Sequence, residues 1–182
     1  EQVDKLVNKY ISQERTIILA VIPTNQDIAT IDIIEKAAKV DPAGGRTIGV
    51  MTKPDLVDKG TEPGKLRVLA NITKPLRHGY FMLKNRSQKD LDDGLTLSDA
   101  RQAEMDWFAQ SKFQKADETR LGVDNLQRAL SELLIQHIKS TLPNLETEVE
   151  MLLLSKEKDL KELGKAPPTT QGERLNIITQ IL

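Results

Sequence analysis

The chain has 182 residues, with 26 Lys and Arg, 27 Asp and Glu and no Cys, which gives a formal net charge of −1. This length suffices for one domain, or for one domain and part of another. The balanced charge argues against a nucleic-acid partner bound through a basic face, and the lack of Cys excludes disulfides and thiolate metal sites. Aromatic residues make up only 3% of the chain. We therefore expect a core built mainly from Ile, Leu, Val and Ala.

The chain begins with patterns typical of a helix, a strand and a second helix. Residues 1–14 carry an apolar stripe at helical spacing, and residues 16–22 form a continuous apolar run rich in branched side chains. Such a run predicts a strand buried on both faces, as in parallel sheets, and Pro23 ends it. The second helix is expected to be capped by Asp27 or Thr30. Its apolar stripe comprises Ile28, Ile31, Ile34 and Ala38.

Strand and helix patterns continue to alternate up to residue 110. Residues 41–45, Asp-Pro-Ala-Gly-Gly, stop the second helix, and a strand is predicted over 46–51. Residues 60–64 are predicted to be a loop, and residues 65–77 a helix interrupted by Pro75. The later elements are a strand over 80–83, a polar turn over 84–90, and a helix over 96–110 that carries Leu97, Ala100, Trp107 and Phe108. This alternation predicts an α/β fold with a parallel sheet.

Toward the C-terminus the sequence shows helical patterns only. A strong apolar stripe occupies 126–138, and Pro143 is expected to interrupt the helix. A further helical pattern over 145–163 places charges between leucines, and 164–172 is predicted to be a linker. The last ten residues show the start of another helix. We therefore expect a domain boundary near residue 115, with an α/β domain before it and long helices after it.

The most informative stretch follows the strand predicted over 46–51. It reads Thr52-Lys53-Pro54-Asp55 and matches [Asn/Thr]-Lys-x-Asp, the guanine-reading loop of GTP-binding proteins, at a place where ligands bind α/β sheets. The Asp55 carboxylate can accept hydrogen bonds from N1–H and the exocyclic amine of guanine, and adenine lacks both donors at that edge. Lys53 can lay its alkyl stem along the base, Thr52 can tie the loop to neighbouring backbone, and Pro54 fixes one φ angle. The alternative interpretation is an ordinary solvated turn.

A second polar turn, Asn85-Arg86-Ser87-Gln88, follows the next predicted strand. Its amides and guanidinium could contact the base and ribose from the side opposite Asp55. An N-cap or a solvated turn is the alternative. Because both turns lie at the ends of strands, in the order expected for one binding site, the two together favour a guanine pocket.

Several blocks of the sequence carry a wider resemblance. They are Ala20–Ala29, Val40–Thr61, Leu76–Tyr80, Asn85–Asp90 and the Leu-Gln…Leu…His-Ile…Leu-Pro pattern of Leu126–Pro143. In this order they closely resemble the dynamin family of large GTPases over nearly the whole chain. The block from Thr52 to Gly60 looks most like the Mx branch, whereas Asn85–Asp90 looks more like conventional dynamins. The sequence therefore leaves the subfamily open.

The resemblance implies a set of guanine and ribose contacts. They are Lys53, Asp55, Asp58, Asn85, Arg86 and Gln88, with Thr52 in the same loop. Asp27 would match a residue at which two GTPase domains pair across their nucleotides. Family members use that pairing to accelerate hydrolysis. The family usually has a proline just before Leu126, where it acts as a helix hinge, but Asp124 stands there in this chain.

The resemblance also implies the fold, the domains and the partners. Residues 1–115 would be the C-terminal portion of a P-loop-type GTPase domain, 116–143 the helix that relays nucleotide state, and 144–182 the start of a helical stalk. The complete protein would use GTP with Mg²⁺, whose ligands lie outside this chain, and would self-associate through GTPase domains and stalk. Regions absent from the chain could bind membranes or microtubules. The expected location is the cytoplasm, with peripheral membrane association.

Hydrolysis needs a phosphate-binding loop, Gly-x-x-x-x-Gly-Lys-[Ser/Thr], and none is found. Gly44 and Gly49 have the spacing but lead into a strand, and the Gly60 to Gly64-Lys65 segment is one residue short. We therefore expect the chain to be a piece of a longer protein, with the loop upstream of Glu1. The 182 residues alone are expected to show no measurable GTP turnover.

Two other classes of protein remain as alternatives. One is a scaffold that keeps a GTPase-like fold for assembly, with the helices forming the contacts. The other is an ATP-using α/β enzyme, which the hydrogen-bonding sense of Asp55 disfavours. His78 and His137 are too far apart in sequence to suggest a metal site, and Trp107 and Phe108 are expected in the core. The longest uncharged apolar run, Thr16–Ile22, is too short to span a bilayer.

Overall fold

The structure is a computed structural model that describes residues 2–164, 171–172, 175 and 178–179. The chain forms two compact units that divide between Ile138 and Lys139. The first unit contains a three-stranded sheet and the helices that cover it. The second contains the C-terminal part of a long helix. This arrangement confirms the α/β fold followed by helix that the sequence predicts.

The sheet of the first unit is entirely parallel. Its strands are β1 (Ile18–Pro23), β2 (Thr47–Thr52) and β3 (Tyr80–Leu83), in the order β1-β2-β3. The register pairs Pro23 with Thr52 and Thr52 with Leu83, so all three strands end at the same edge. Because β2 is central, its residues are buried from Thr47 to Met51. This edge is where a ligand of a parallel sheet is expected.

Six α-helices and four 3₁₀ turns connect and flank the strands within the described residues. The helices are α1 (Gln2–Ile11), α2 (Ile33–Val40), α3 (Glu62–Leu69), α4 (Gln88–Asp92), α5 (Leu97–Gln110) and α6 (Val123–Leu163). The 3₁₀ turns are Ile28–Thr30, Pro54–Leu56, Lys112–Lys115 and Glu118–Arg120. No helix among these residues is long and apolar enough to cross a membrane.

Two apolar clusters hold the sheet, one on each face. The members of the first include Ala20, Ile22, Met51, Met82, Phe108 and Phe113. The members of the second include Ile48, Val50, Phe81, Leu83, Leu126 and Leu133. The buried apolar residues of β2 and β3 are divided between the two clusters, as the pleat of a sheet requires, whereas β1 contributes to the first cluster only. Trp107 packs on the first cluster and stacks on Phe113 with 6.2 Å between ring centroids, so the prediction that Trp107 and Phe108 are core residues is confirmed.

The prediction that β1 is buried on both faces is wrong for this chain. Its buried and exposed residues alternate, and Leu19 and Val21 are 43% and 46% exposed. Leu126 and Leu133 of α6 pack over β2 and β3 on that face, and neither Leu19 nor Val21 joins their cluster. The continuous apolar run therefore forms a strand, as predicted, but the burial of each face depends on whether another element packs against it.

The second predicted helix starts later than its apolar stripe indicates. Ile28 belongs to a 3₁₀ turn, and α2 begins only at Ile33. This break changes the helical phase, so Ala37 is buried and the predicted Ala38 is exposed. The burial of Ile28 and Ile34 is as predicted.

The third helix also differs from its predicted bounds. It starts at Glu62, inside the segment predicted as a loop, because Pro63 in the first turn does not disturb a helix. It ends at Leu69, well before Pro75, and two non-glycine residues with positive φ, Asn71 and Lys74, follow it. The predicted helix over 65–77 is therefore wrong at both ends.

The remaining helices agree with the sequence except in three details. The polar turn over 84–90 contains the start of α4, and Leu97, predicted to lie on the apolar stripe of α5, is exposed. The helix α6 continues through Pro143, which was expected to interrupt it. A proline removes one hydrogen bond, and the long helix continues on both sides of it. The predicted linker, beyond Gly164, and the helix of the last ten residues fall mostly outside the described residues.

Candidate functional site

Three loops leave the sheet side by side at the carboxyl ends of its strands. The strand register places Pro23, Thr52 and Leu83 next to one another. The backbone N–H of Thr24 donates to the Thr52 carbonyl at 2.7 Å, which carries the pairing one residue beyond β1. The two turns singled out in the sequence, after β2 and after β3, therefore start from adjacent strands, as a shared binding site requires.

The turn after β2 has an unusual backbone at Lys53. Its φ of 57° and ψ of 47° are left-handed, a conformation that a residue with a side chain adopts at some energetic cost. Pro54 is buried and starts the 3₁₀ turn, and the Leu56 N–H donates to the Lys53 carbonyl at 3.2 Å. The strained lysine reverses the chain at the strand end, and the fixed φ of Pro54 limits the conformations of the turn.

The charged side chains of this turn are available to a ligand. Lys53, Asp55 and Asp58 are exposed. None of the three side chains makes a hydrogen bond or ion pair with another described residue. Thr52 is half-buried, and its carbonyl, not its hydroxyl, ties the loop to the neighbouring backbone. The Asp55 carboxylate thus has both oxygens free to accept hydrogen bonds from a ligand.

The turn after β3 is partly occupied by local contacts. Asn85 is exposed, and its amide makes no hydrogen bond within the part of the chain described. Arg86 donates from Nη1 to the Leu95 carbonyl at 2.7 Å, and Gln88 donates to Asp92 Oδ1 at 2.9 Å. Asn85 is therefore the most available of the three predicted residues, while Arg86 and Gln88 would bind a ligand with their remaining donors.

The N-cap alternative for this turn is observed at Ser87. Ser87 caps α4, and its hydroxyl accepts a hydrogen bond from the Asp90 N–H while Asp90 accepts one from the Ser87 N–H at 2.7 Å. The hydrogen bonds from Ser87 hold the pKa of Asp90 below its ordinary value. This capping box accounts for Ser87, whereas the Asn85 amide takes no part in it.

Asp27, in the loop after β1, is an N-cap. Its Oδ1 accepts a hydrogen bond from the Ala29 N–H at 3.0 Å and starts the 3₁₀ turn there. The prediction that Asp27 or Thr30 caps the second helix is wrong, because α2 begins later with Asp32 at its N-cap and Asp27 caps the preceding 3₁₀ turn instead. The side chain is also exposed, so it can meet a second molecule while it keeps this bond.

Glu104 is a buried carboxylate next to the turn after β3 that sequence reasoning missed. It is 5% exposed, and its two oxygens accept from the Lys84 N–H at 2.7 Å and the Val123 N–H at 2.9 Å. The Gly122 N–H also donates to the Met82 carbonyl at 2.9 Å. One carboxylate thus connects the strand end before Asn85 to the first turn of α6. The signal was a charged residue between Ala100 and Phe108 on the apolar stripe of α5.

A second missed carboxylate, Glu62, braces the segment that follows Asp58. It accepts from the Gly60 N–H at 2.6 Å and pairs with Lys112 at 2.7 Å. The hydrogen bond from Lys112 is the main cause that holds the pKa of Glu62 below its ordinary value. Lys65, one turn further along α3, donates to the Gln26 carbonyl at 2.6 Å and links this region to the loop after β1.

No group of three or more His, Asp or Glu side chains in the described ranges is arranged to hold a metal ion. Among the residues described, the side chains without internal partners at the carboxyl edge include the Asp55 and Asp58 carboxylates and the Lys53 ammonium after β2, and the Asn85 amide after β3.

Known protein-family models match this chain along most of its length. Residues 1–54 match the dynamin family, and residues 65–182 match the dynamin central region. The interferon-induced GTP-binding protein Mx of Ctenopharyngodon idella is 38% identical over 180 residues, which are 98% of this chain and 29% of the relative. Interferon-induced GTP-binding protein Mx2 of Bos taurus is 39% identical over 176 residues, 96% of this chain and 25% of the relative.

A third relative, interferon-induced GTP-binding protein Mx1 of Equus caballus, is 39% identical over 175 residues, 95% of this chain and 26% of its own length. The chain therefore spans between a quarter and three tenths of the length of these relatives. The family matches cover both the sheet and the long helix. The chain belongs to the dynamin family, and within that family it is similar to the Mx proteins over nearly all of its length.

Proposed function

We propose that this chain supplies the guanine-binding part of a dynamin-like GTPase. The observation that carries the proposal is the Asp55 carboxylate, which is exposed and makes no hydrogen bond or ion pair with the described residues. It lies on a turn fixed by the left-handed Lys53 and the buried Pro54. The similarity to proteins named as GTP-binding supports this assignment.

Asp55 selects guanine because its carboxylate only accepts hydrogen bonds and guanine presents two donors to it. Its two oxygens accept from N1–H and from the exocyclic amine, and both bonds are charge-assisted. Adenine has no proton on N1 and no amine at that edge, so bound adenine would leave the carboxylate desolvated and unpaired. A site built to hydrogen-bond a group rejects analogues without that group by a factor on the order of 10⁴.

The neighbouring residues complete the pocket. Lys53 covers one face of the base with its alkyl stem and keeps its ammonium in water. Asp58 accepts from the ribose hydroxyls, and Thr52 starts the loop at the end of β2. From the other side, Asn85 contacts the base. The free donors of Arg86 and Gln88 reach the base and ribose.

In the complete protein we propose GTP binding and hydrolysis with Mg²⁺, whose ligands and phosphate-binding loop belong to segments outside these residues. Two GTPase domains pair across their nucleotides with Asp27 at the contact. Hydrolysis drives self-assembly, and with it membrane remodelling or related mechanochemical work, in the cytoplasm and at membrane surfaces. The GTPase-domain portion comprises residues 1–115, the relay helix comprises residues 116–143, and the start of the stalk comprises residues 144–182.

The test is Asp55→Asn in the full-length protein. An amide in place of the carboxylate loses the acceptor for one guanine donor and gains a donor that suits the carbonyl of xanthine. We expect GTP affinity to fall by about 10²-fold or more and xanthosine triphosphate affinity to rise, because each lost charge-assisted bond costs about 1.5–3 kcal/mol. Fluorescent analogues of both nucleotides measure the two dissociation constants.

Asp106→Asn is the matched control for this test. Asp106 is an exposed residue of α5 whose carboxylate accepts from Gln102, and an asparagine oxygen can accept the same bond. This variant should bind both nucleotides as the parent does. An unchanged preference for GTP in Asp55→Asn would contradict guanine recognition by this carboxylate and would favour the scaffold interpretation.

Self-association through α6 is a second function, which one observation favours. In the second unit the helix exposes a series of large apolar side chains, which are Leu142, Leu145, Val149, Leu152, Leu153 and Leu160. Light scattering with and without GTP separates the alternatives. Assembly that responds to GTP supports a GTPase coupled to its stalk, whereas identical assembly in both conditions supports a scaffold.

A further inference from the structure

A second candidate site lies at the opposite edge of the sheet. There a cavity of about 350 Å³ opens between the residues that precede β3, the 3₁₀ turn Glu118–Arg120 and the first turns of α6. Its walls include Arg77, His78, Arg120 and Arg128. The cavity lies wholly within the first unit. Since the guanine turns start at the carboxyl ends of the strands and Arg77 and His78 precede β3, the cavity is separate from the proposed nucleotide pocket.

The charges that line this cavity are unbalanced. Three guanidinium groups, those of Arg77, Arg120 and Arg128, face a single carboxylate, that of Glu132. None of the three arginines forms an ion pair with a carboxylate of the described residues. Asp117 is a further acidic neighbour, whose pKa is lowered mainly by hydrogen bonds from Thr119 and to a smaller extent by Arg120. The lining therefore carries more guanidinium groups than carboxylates.

The inner wall of the cavity is held rigidly. Arg120 donates from Nη1 to the His78 carbonyl at 2.9 Å, and its guanidinium lies 4.9 Å from the centroid of the Phe81 ring. His78 donates from Nε2 to the Gly45 carbonyl at 3.0 Å. These contacts fix a guanidinium and an imidazole before any ligand arrives, so binding loses less side-chain entropy.

The outer wall supplies cations that fold-stabilising contacts do not use. Arg77 is exposed and its guanidinium makes no hydrogen bond with the described residues. Arg128 is exposed as well, and its one such bond is to Asn125 Oδ1 at 3.2 Å. Guanidinium groups bind phosphoryl oxygens through paired hydrogen bonds, and unpaired arginines around a concave site are suited to this use.

We propose that this cavity binds the dianionic phosphoryl group of a phosphate monoester. The excess of positive charge suits a dianion, and the fixed Arg120 together with the two exposed arginines supplies guanidinium donors for its oxygens. Such a group occurs on small soluble phosphates and on phosphoinositide head groups at a membrane surface. Both sources carry a phosphate monoester, and the probe that binds tells which of the two the cavity takes.

The experiment uses the full-length protein with a saturating non-hydrolysable GTP analogue, so that the nucleotide site cannot take up the probe. One arm titrates inorganic phosphate by calorimetry. The other measures co-sedimentation with phosphatidylcholine vesicles that contain a phosphatidylinositol monophosphate, against vesicles in which phosphatidylserine supplies the same charge. Binding of inorganic phosphate identifies a soluble ligand. Binding only to the phosphoinositide vesicles identifies a lipid head group.

The variants test whether the cavity is responsible. Arg77→Gln combined with Arg128→Gln should weaken binding of the active probe by about tenfold or more, because two charge-assisted contacts are lost. Glu132→Gln should strengthen binding by about two- to fivefold, since it removes the opposing charge. Arg67→Gln is the matched control, an exposed arginine of α3 outside the cavity lining, and should leave binding unchanged.

The proposal is overturned if neither probe binds, if binding survives the double substitution, or if Arg67→Gln weakens it equally. Weaker binding in Glu132→Gln would also contradict it. Because Arg77 and Arg128 are exposed, both changes should leave the fold intact, and thermal unfolding confirms this. Arg128→Gln alone serves if the double variant does not fold, with a smaller loss expected. GTP affinity should not change in any of these variants, which separates this site from the proposed guanine pocket.

Discussion

Two aspartates flank the central strand β2, and the structure uses them in opposite ways. Asp41, which precedes the strand, is 9% exposed, and its carboxylate accepts from the Gly45 and Arg46 N–H groups at 3.0 Å and the Thr47 hydroxyl at 2.6 Å. Asp55, which follows the strand, is exposed and accepts no hydrogen bond from the described residues.

Asp41 is a structural carboxylate, whereas Asp55 is the carboxylate that we propose binds a ligand. A buried carboxylate persists only if donors satisfy it, so each bond to Asp41 stabilises the folded chain. A carboxylate that must recognise a ligand has to keep its acceptors free of internal donors. Arg46 extends the structural side, since its guanidinium donates to the Thr16 and Val40 carbonyls at 2.9 and 2.8 Å. The polar groups at the amino end of β2 are thus satisfied by internal hydrogen bonds, whereas the Asp55 carboxylate at the carboxyl end is left without an internal donor. We call these the closed end and the open end.

The largest expected effect comes from disrupting the strand that lies between the two aspartates. A Cβ on Gly49 would lie 2.2 Å from Cδ1 of Tyr80. Tyr80 is fully buried and its hydroxyl donates to the Lys74 carbonyl at 2.5 Å, so the ring cannot move aside. Gly49→Ala should lower the free energy of unfolding by about 3 kcal/mol or more through overpacking. Urea denaturation followed by circular dichroism measures this loss.

Gly64→Ala is the control for this substitution. Gly64 lies in α3, and an added Cβ there would meet nothing within 4 Å. This variant should be as stable as the parent, or more stable by up to about 1 kcal/mol, because alanine favours a helix. If Gly49→Ala were equally well tolerated, the close packing of β2 against Tyr80 would be refuted.

The sequence pointed to a candidate site at the carboxyl end of β2 but did not show the role of Asp41 at the amino end. Thr52 to Asp55 follow an apolar strand, and local chemistry identified them as a candidate site. In the sequence, Asp41 was recognised only as part of the segment that ends the second helix. Its hydrogen-bond donors come from the turn that follows, and the sequence does not reveal the geometry of that turn. Glu104 was missed for a similar reason: the groups that it joins, at Lys84 and Val123, are distant in sequence.

Burial of the strands was predictable only in part. β2 and β3 are buried as an apolar run suggests, whereas the outer face of β1 is exposed at Leu19 and Val21. A local pattern reports that a segment prefers an apolar environment, but distant segments decide whether that environment is supplied. The phase of α2 shows the same limit, because the short 3₁₀ turn before it displaced the buried face from Ala38 to Ala37.

The second prediction concerns the stability that Asp41 contributes at the amino end of β2. Asp41→Asn should lower the free energy of unfolding by about 2–3 kcal/mol, because an amide keeps one acceptor oxygen and turns an N–H₂ group toward buried donors. Thermal or urea unfolding at neutral pH measures the difference. A loss below about 0.5 kcal/mol, the usual range of surface changes, would show that the hydrogen bonds to Asp41 do not stabilise the fold.

The pH dependence of that difference provides an independent check. Burial acts to raise the pKa of Asp41, but hydrogen bonds from Thr47, Arg46 and Gly45 outweigh it and hold the pKa below its ordinary value. The stabilisation is therefore complete above the unfolded pKa of about 3.9 and is lost as pH falls through the folded value. The gap between the parent and Asp41→Asn should stay constant from about pH 5 to 7 and narrow below about pH 4.

The smallest expected effect on stability is at Asp55, at the carboxyl end of β2, and it contrasts most directly with the effect at Asp41. Asp55→Asn should change the free energy of unfolding by less than about 0.5 kcal/mol without nucleotide, because the carboxylate stabilises nothing within the described residues. The same substitution at Asp41 removes a buried acceptor, so identical chemistry at the two ends of one strand should give different losses. Parallel urea titrations of the two variants, without GTP, measure this contrast. A loss at Asp55 as large as that at Asp41 would mean that the turn depends on its carboxylate to fold, and the carboxylate would then not be free for guanine.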